Sequence, residues 1–230
     1  MSDPYKVVRD FESALCDYTG AKYSVAVTSC TAALMLAVAW NMRGSGFIPD
    51  GTGYASDERV RCKIPKRTYI GVPMSIVHAG GRPVFDDFNW SGGYPLAPFP
   101  VWDYARRFTS NMFNEITAYE INLQQKAHGY VPKMLCVSFH HTKILGLAAH
   151  GGAILHDNDE ADEWLRRARF DGRKEGVSPK DDTFPMIGWH CYMTPATAAE
   201  GLMRLAALPK HNDDLPLSDY PDLSQLEIFK

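Results

Sequence analysis

Apolar residues recur along the chain in short groups, and the spacing within each group indicates a helix or a strand. Residues 4–17 repeat apolar side chains, among them Phe11 and Leu15, at intervals of three and four residues, which is helical spacing. The run at 23–27 is short, apolar and β-favouring, so it predicts a buried strand. The longer apolar run at 32–40 predicts a buried helix.

The same alternation continues through most of the chain. We predict further strands over residues 59–64, 82–86, 99–103, 133–138 and 153–156. We predict further helices over residues 70–79, 111–127 and 157–169, and a last one with Thr194 as N-cap and Pro195 in the first helical position. Polar or glycine-rich loops are predicted at residues 44–57, 88–98 and 171–187. Because strands alternate with helices, the chain predicts an α/β fold with a largely parallel sheet.

Composition narrows the class of protein. The 230 residues are 45% hydrophobic and 22% charged, which is globular composition with enough apolar surface for a sizeable core. The net charge of −3 argues against nucleic-acid binding through bulk positive charge. No apolar run approaches the roughly 20 residues that span a bilayer, and the charged start lacks the apolar core of a signal peptide. We therefore expect a cytoplasmic protein with reduced cysteines and neither membrane nor nucleic-acid partners.

Small polar residues stand where the strand at 23–27 passes into the next helix. Ser29, Cys30 and Thr31 occupy this junction. Free N–H groups and the helix dipole at such an end favour a phosphate, and the hydroxyls add donors. Serine and threonine are also ordinary N-caps, so both interpretations stay open at this point.

Two further positions carry candidate chemistry. Asp103 ends the predicted strand 99–103, and ligands of open α/β sheets gather beyond the carboxyl ends of strands, where a carboxylate can hold a protonated ring nitrogen. Lys143 follows Ser138 by five residues and precedes an apolar run at 144–149. Apolar surroundings disfavour the charged amine, so such a lysine can form Schiff bases. Taken singly, Asp103 could be a cap or a solvated acid, and Lys143 a surface lysine.

The pair His140 and His141 raises the question of a metal site. Adjacent residues on an extended chain point apart, and no third ligand follows at a standard spacing. We therefore predict no metal. A phosphate site, an acid for a pyridinium nitrogen and a lysine for an aldehyde are, in that chain order, the groups that hold pyridoxal 5′-phosphate, which is the predicted cofactor.

Five ordered segments carry a resemblance to a known family. The chain resembles the DegT/DnrJ/EryC1/StrS family of pyridoxal-phosphate-dependent sugar aminotransferases of fold type I. The segment at 137–155, VSFHHTKILGLAAHGGAIL, is similar to the family's F-S-F-H-x-T-K pattern followed by a glycine pair. The other segments are FESALCDYTGAKYSVAVTSCTAAL, VRCKIPKRTYIGVPMSIVHAGGRPVFDD, PVWDYARRF and GWHCYMTPATAAEGLMRLAAL.

The resemblance implies a fold and a division of the chain. It implies the large domain of fold type I, with a mainly parallel sheet flanked by helices, and a C-terminal small domain that is largely missing. The cofactor-binding domain would cover residues 1–208 and an irregular tail residues 209–230. The chain is much shorter than typical members, which suggests a minimal enzyme.

The resemblance also implies roles for single residues. Lys143 would bind the cofactor aldehyde and move the substrate proton, and Asp103 would pair with the pyridinium nitrogen. Tyr69 would stack on the ring or line the substrate pocket. The phosphate would be held by Ser29, Thr31 and Ser138, with Cys30 as a further cofactor-binding residue of the same loop. Across a homodimer with shared active sites, His190 of the other chain would also reach the phosphate.

This sequence departs from the family pattern at several of these positions. Cys30 replaces a glycine of the phosphate loop, and His190 replaces an asparagine. Arg106 stands where glutamine or histidine usually touches the cofactor, so it would alter that contact or turn away to bind a substrate anion. His150 replaces the acid before the glycine pair.

The resemblance implies an aminotransferase that converts a keto group to an amine. The keto acceptor would be a nucleotide-activated sugar and the amino donor glutamate. Two alternatives share the same cofactor residues. One is an enzyme acting on a smaller amine, an amino acid or a modified nucleotide, and the other is a catalytically idle, cofactor-binding dimeric scaffold.

Overall fold

The computed structural model describes residues 3–43, 60–115 and 133–230. It contains helices α1 (Lys6–Thr19), α2 (Cys30–Asn41), α3 (Gly71–His78), α4 (Asp159–Ala168) and α5 (Pro195–Ala207). The strands are β1 (Tyr23–Val27), β2 (Arg61–Pro65), β3 (Arg82–Asp86), β4 (Tyr94–Pro95), β5 (Val101–Tyr104), β6 (Met134–Ser138) and β7 (Gly152–His156). No helix within these three ranges is both long and apolar enough to cross a bilayer.

Most predicted elements are present with small shifts at their ends. β1 and β3 have the predicted bounds, and the predicted cap of α5 is confirmed, because the Thr194 hydroxyl accepts the Thr197 N–H at 3.3 Å. The predicted loop at 88–98 contains the two-residue strand β4, which the sequence analysis missed. The predicted loop at 44–57 lies outside the described residues.

The predicted helix over 111–127 does not begin where expected. Residues 111–114 form turns, and residues 116–127 lie outside the described residues. The backbone N–H groups of Asn111 and Phe113 donate to Tyr18 and Thr19 at the end of α1, at 2.9 and 3.0 Å. Asn111 has a φ of 60°, which helical residues do not adopt. The backbone at Asn111 and Phe113 therefore bonds to the end of α1 and does not begin the predicted helix.

The α/β class is confirmed, but the main sheet is mixed and not largely parallel as predicted. Its five strands lie in the order β1-β7-β6-β5-β4, with β5 parallel to β6 and β7 antiparallel to both β6 and β1. It follows that β1, β5 and β6 run in the same direction. The segment between β6 and β7 contains no crossover helix, and antiparallel pairing needs none, which explains the reversed strand. Strands β2 and β3 form a separate parallel pair joined through α3.

Two apolar clusters cover the two faces of the sheet. Strand side chains alternate between faces, so Cys136 and Ile154 pack towards α2, while Leu135 and Leu155 pack towards α1 and α5. Helix α2 is buried over most of its length. The sheet is therefore covered on both sides, which leaves its strand ends as the place for a ligand.

A buried ion network ties α1 to β1 and α4. The carboxylate of Glu12 accepts the Ala26 N–H at 2.8 Å and the Arg166 guanidinium at 2.7 Å, and it also binds Arg169. Arg169 is 1% exposed and donates to the Ala26 carbonyl at 2.6 Å. The charges of Glu12 and Arg169 are therefore compensated away from water.

Removing the charge of Glu12 is expected to destabilise the protein strongly. Glu12→Gln removes the carboxylate that binds both Arg166 and the buried Arg169 and leaves Arg169 only the longer contact with Glu175, at 3.3 Å. The loss of this buried charge pair costs about 3–5 kcal/mol in the free energy of unfolding. The control is Asp10→Asn, which breaks the exposed Lys6–Asp10 pair and should cost less than about 1 kcal/mol. Urea unfolding measures both. Similar losses for the two variants would contradict a special role of the buried network.

Candidate functional site

A cavity of about 650 Å³ opens at the carboxyl ends of β1, β5 and β6, a volume typical of small-molecule sites. Eight of the nine predicted site residues line it: Ser29, Cys30, Thr31, Tyr69, Asp103, Arg106, Ser138 and Lys143. The three strands share a direction, so the residues at their ends meet at one edge of the sheet. His190 is outside this lining.

Asp103 is the buried carboxylate of the cavity. It is the third residue of β5, which ends one residue later at Tyr104, whereas the sequence predicted that the strand ends at Asp103 itself. Its Oδ1 accepts the Ala105 N–H at 2.9 Å, and its Oδ2 accepts the Tyr94 hydroxyl at 2.9 Å. Because the Tyr94 hydroxyl donates its hydrogen bond to Asp103, the Thr68 hydroxyl, 2.5 Å away, donates to the Tyr94 oxygen. This relay fixes the orientation of the carboxylate.

Burial raises the pKa of Asp103 above its ordinary value. The hydrogen bonds from Ala105 and Tyr94 and the charges of Lys143 and Arg106 act in the opposite direction. Burial also raises the pKa of Tyr94 well above its usual range, so this residue stays a hydroxyl donor. Burial therefore makes ionisation of the Asp103 carboxyl unfavourable, and a bound cation would favour the ionised form.

The start of α2 forms another wall of the cavity. Ser29 is its N-cap, and its hydroxyl accepts the Ala32 N–H at 3.1 Å while keeping its own proton to donate. Cys30 is the first helical residue, so its backbone accepts a side chain without strain. Its thiol lies 3.6 Å from the Cys136 carbonyl, and burial raises its pKa well above the ordinary value. The thiol therefore packs towards the sheet as a neutral group.

Gly152 lies directly beneath this helix end. A Cβ at Gly152 would come within 2.5 Å of the Cys30 nitrogen and the Ser29 carbonyl carbon. Contacts that short do not occur between real atoms, so a side chain here would displace the first turn of α2. Glycine is thus required by the close approach of β7 to the helix.

Ser138 and Lys143 come from the end of β6 and the turn that follows it. Ser138 is buried, and its hydroxyl accepts the His140 N–H at 3.4 Å. The backbone N–H of Lys143 donates to the His140 carbonyl at 2.8 Å, which closes the turn. This turn places the Lys143 side chain on the cavity wall, where its charge lowers the pKa of Asp103.

Arg106 lines the cavity but is held by the C-terminal segment. Its guanidinium donates to the Pro216 carbonyl and the Ser218 hydroxyl, and lies 5.6 Å from the centroid of the Tyr220 ring. The two contacts expected for Arg106, with the cofactor or with a substrate anion, stay predictions, and in the structure the guanidinium is bound to the C-terminal segment. These hydrogen bonds hold residues 215–220 in place as a wall of the cavity.

Sequence reasoning missed this C-terminal wall and several other residues that line the cavity. The additional lining residues include Thr68, Trp90, Leu215, Pro216, Leu217, Ser218 and Tyr220. Residues 215–220 belong to no predicted helix or strand, so no periodic pattern marks them. The bidentate ion pair between Arg107 and Asp214, at 2.8 and 2.6 Å, anchors the start of the segment.

Tyr69 and His190 are the exposed members of the predicted set. Tyr69 is 58% exposed at the rim of the cavity. The imidazole of His190 is exposed, and its Nδ1 lies 3.0 Å from the carboxylate of Asp171. Its assignment to a neighbouring chain stays a prediction.

Three imidazoles gather at the mouth of the cavity. The ring centroids of His140 and His141 are 4.0 Å apart, and those of His140 and His150 are 4.8 Å apart. The expectation that His140 and His141 point apart is wrong, because the chain turns at His141 instead of continuing extended. Desolvation, with the nearby His141, His150 and Lys143, lowers the pKa of His140.

This arrangement fits a phosphorylated pyridine aldehyde. Asp103 offers a buried acceptor for a protonated ring nitrogen, and Lys143 offers an amine for an aldehyde. The start of α2 offers N–H and hydroxyl donors for a phosphate. All of these groups face one cavity.

Comparisons with known proteins identify a family that matches this chain. The model of the DegT/DnrJ/EryC1/StrS aminotransferase family matches residues 1–93 and 117–214. GDP-perosamine synthase of Caulobacter vibrioides is 25% identical over 233 residues, covering 90% of this chain and 58% of its own length. The spore coat polysaccharide biosynthesis protein SpsC of Bacillus subtilis is 35% identical over 82 residues, covering 36% of this chain and 18% of its own length. The chain thus spans little more than half of the first relative.

Solved structures share the fold at low identity. DesV of S. venezuelae has a TM-score of 0.62 at 20% identity, covering 87% of this chain and 56% of that one. PseC of Helicobacter pylori, an aminotransferase of pseudoaminic acid biosynthesis, has a TM-score of 0.62 at 18% identity. The match covers 90% of this chain and 63% of PseC. NtdA of Bacillus subtilis, solved with bound cofactor PMP, has a TM-score of 0.62 at 21% identity. The match covers 88% of this chain and 48% of NtdA.

The buried carboxyl of Asp103 is expected to cost stability when no cofactor is bound. Its pKa is higher in the folded than in the unfolded chain, so the folded chain binds the proton more tightly. The free energy of unfolding therefore falls as the pH rises from the unfolded pKa near 3.8 to the raised pKa. At pH 7 we expect cofactor-free Asp103→Asn to be at least as stable as the unmodified protein.

Urea unfolding between about pH 4 and pH 8 measures this effect. Asp219→Asn, at an exposed carboxyl, is the control and should leave the pH dependence unchanged. A loss of more than about 1 kcal/mol in Asp103→Asn would instead assign Asp103 a structural role.

Proposed function

The chain belongs to the DegT/DnrJ/EryC1/StrS aminotransferase family, and we propose that it is a pyridoxal-phosphate-dependent aminotransferase that converts a keto group to an amine. The observation that carries this proposal is the meeting of Asp103, Lys143 and the start of α2 at one cavity. When bound, pyridoxal phosphate takes up the amino group of one substrate, acts as an electron sink, and returns the group to another. The chain must hold this cofactor, keep its ring nitrogen protonated and move protons at the substrate carbon.

Asp103 is proposed to keep the ring nitrogen protonated. Its carboxylate is oriented by Tyr94 and Ala105. A cation beside a buried carboxylate favours the ionised form, which offsets the burial that raises its pKa. An ion pair in this position strengthens electron withdrawal by the ring, which is what proton removal from the substrate needs.

Lys143 is proposed to bind the cofactor aldehyde through its Nζ and to act as acid and base at the substrate carbon. Its turn is fixed by the bond from its own N–H to His140, while its side chain extends into the cavity. A lysine whose backbone is fixed and whose amine faces the cavity can serve both tasks. Ser29, Thr31 and Ser138 are proposed to hold the phosphate with the N–H groups at the start of α2.

The proposed acceptor is a nucleotide-activated keto sugar, and the proposed amino donor is glutamate. Two named relatives support a sugar: the Caulobacter protein is a GDP-perosamine synthase, and the Helicobacter protein serves pseudoaminic acid biosynthesis. Residues 1–208 are proposed to carry the cofactor fold. Residues 209–230 are proposed to complete the site, since residues 215–218 and Tyr220 line the cavity.

We also propose a homodimer in which His190 reaches the cavity of the other chain. The His190 side chain is 72% exposed and oriented by Asp171, so it is available to a neighbouring subunit. Partner-supplied phosphate contacts agree with the resemblance at this position.

Visible absorbance of the protein mixed with pyridoxal phosphate tests the cofactor and the first half-reaction. We expect a protein-bound band distinct from that of free cofactor, and its conversion by glutamate to the spectrum of the pyridoxamine form. Lys143→Ala should lose the protein-linked band and reduce transamination by about 10³-fold or more, because acid–base catalysis is lost with it. The exposed Lys180→Ala is the control and should behave as the unmodified protein.

Each arm of this experiment has a contrary outcome. A protein-linked band that persists in Lys143→Ala would assign the aldehyde to another amine. A band that ignores every amino donor would favour a cofactor-binding scaffold, and no band at all would refute the proposed function.

Mixing two inactive variants tests the shared site. In a dimer with His190 acting across the interface, His190→Ala and Lys143→Ala together rebuild one intact site per mixed dimer. A 1:1 mixture that exchanges subunits should recover about a quarter of the unmodified activity. If His190 acts within its own chain or plays no part in the site, the mixture regains nothing beyond the separate variants.

A further inference from the structure

We propose that His140, His141 and His150 form a binding site for a divalent transition metal ion at the mouth of the cavity. One ligand nitrogen from each ring lies within 4.8 Å of the others. This proposal is independent of the aminotransferase activity, since it concerns three side chains to which no cofactor role has been given.

The pairing of His140 with His150 follows from the register of β6 and β7. Ser138 is paired with Gly152, and the Phe139 N–H donates to the Gly151 carbonyl at 2.9 Å. One step further along this antiparallel ladder, His140 faces His150. Residues opposite each other across antiparallel strands have neighbouring side chains, and the two rings lie 4.8 Å apart.

A turn brings in the third ring. The chain turns after His140, closed by the bond from the Lys143 N–H to the His140 carbonyl at 2.8 Å. A second bond, from the Leu147 N–H to the Phe139 carbonyl at 2.8 Å, holds the base of the loop. His141 therefore lies beside His140, with 4.0 Å between ring centroids.

The ring nitrogens are close to the spacing that one ion requires. Zinc binds imidazole nitrogens at about 2.0–2.1 Å, so ligands of a tetrahedral site lie roughly 3.4 Å apart. His141 and His150 are exposed, so small rotations of their rings can close the remaining distance. The Nδ1 of His140 lies 2.9 Å from the Thr142 hydroxyl and accepts the Thr142 N–H at 3.3 Å. When the Nε2 binds the ion, the ring proton moves to Nδ1, which then donates to the Thr142 hydroxyl in place of accepting the Thr142 N–H, so Thr142 becomes the orienting partner of the ring.

The donor set selects the class of ion. Three imidazoles favour zinc, copper, nickel or cobalt over magnesium and calcium, which prefer oxygen ligands. Three protein ligands also leave a fourth tetrahedral position for water or for an anionic group of a ligand entering the cavity, which His140 and His150 line. The sequence analysis predicted no metal because it sought a third ligand at a fixed spacing, whereas the strand register supplies it.

The test uses tag-free protein saturated with pyridoxal phosphate, with unbound cofactor removed, and titrated with Co²⁺ under visible absorbance. We expect one ion per chain with the absorption of tetrahedral cobalt, and displacement of this ion by one equivalent of Zn²⁺. His141→Ala and His150→Ala should each raise the dissociation constant at least about tenfold. His211→Ala, at an exposed histidine outside the cluster, should leave it unchanged.

Two results would overturn the proposal. One is cobalt binding with the same affinity in His150→Ala as in the unmodified protein. The other comes from X-ray absorption of the zinc-loaded unmodified protein, where three imidazole ligands are expected and fewer than three would contradict the site. Neither readout depends on transamination, so failure of the proposed aminotransferase activity would leave this test intact.

Discussion

The antiparallel pairing of β7 with both β1 and β6 is the constraint on which the site depends. Because β7 is reversed against each neighbour, β1 and β6 must run in the same direction, and the ends that carry Ser29 and Ser138 fall at one edge of the sheet. Gly152 is paired with Val27 on one side and Ser138 on the other, directly under the start of α2. The absence of a side chain there lets the helix end approach the sheet, so a single strand sets both the direction and the depth of the cavity.

Buried charged groups occur in two different environments in this molecule. Away from the cavity, the charges of Glu12 and Arg169 are buried and mutually compensated, so they link elements without offering anything to a ligand. At the cavity, the Asp103 carboxyl accepts neutral hydrogen-bond donors on both oxygens, and burial raises its pKa in spite of them. A cationic ligand bound beside this carboxyl would favour its ionised form. The contrast separates a charge that serves the fold from one that serves binding.

Much of this architecture could be predicted from local patterns, and the remainder depended on contacts distant in sequence. The apolar run of β1, the N-cap Thr194 and the lysine after Ser138 carry signals within a few residues, so the sequence indicated them. The C-terminal wall is specified by Arg106 binding Pro216 and Ser218, about 110 residues away, which no periodicity reveals. The grouping of His140 with His150 depended on strand direction, and the sequence analysis expected a largely parallel sheet.

The wall formed by residues 215–220 also has a consequence for how the protein is made. Every other residue that lines the cavity precedes this segment in the chain, and synthesis proceeds from the N-terminus. While the ribosome is still adding these residues, Asp103 and Lys143 already belong to translated sequence, but the cavity is open on the side that Arg106 later closes. A cofactor that entered at that stage would meet an incomplete enclosure. The cavity is therefore enclosed on this side only after residues 215–220 have been made and have docked on Arg106, so this wall is the last part of the cavity to be completed.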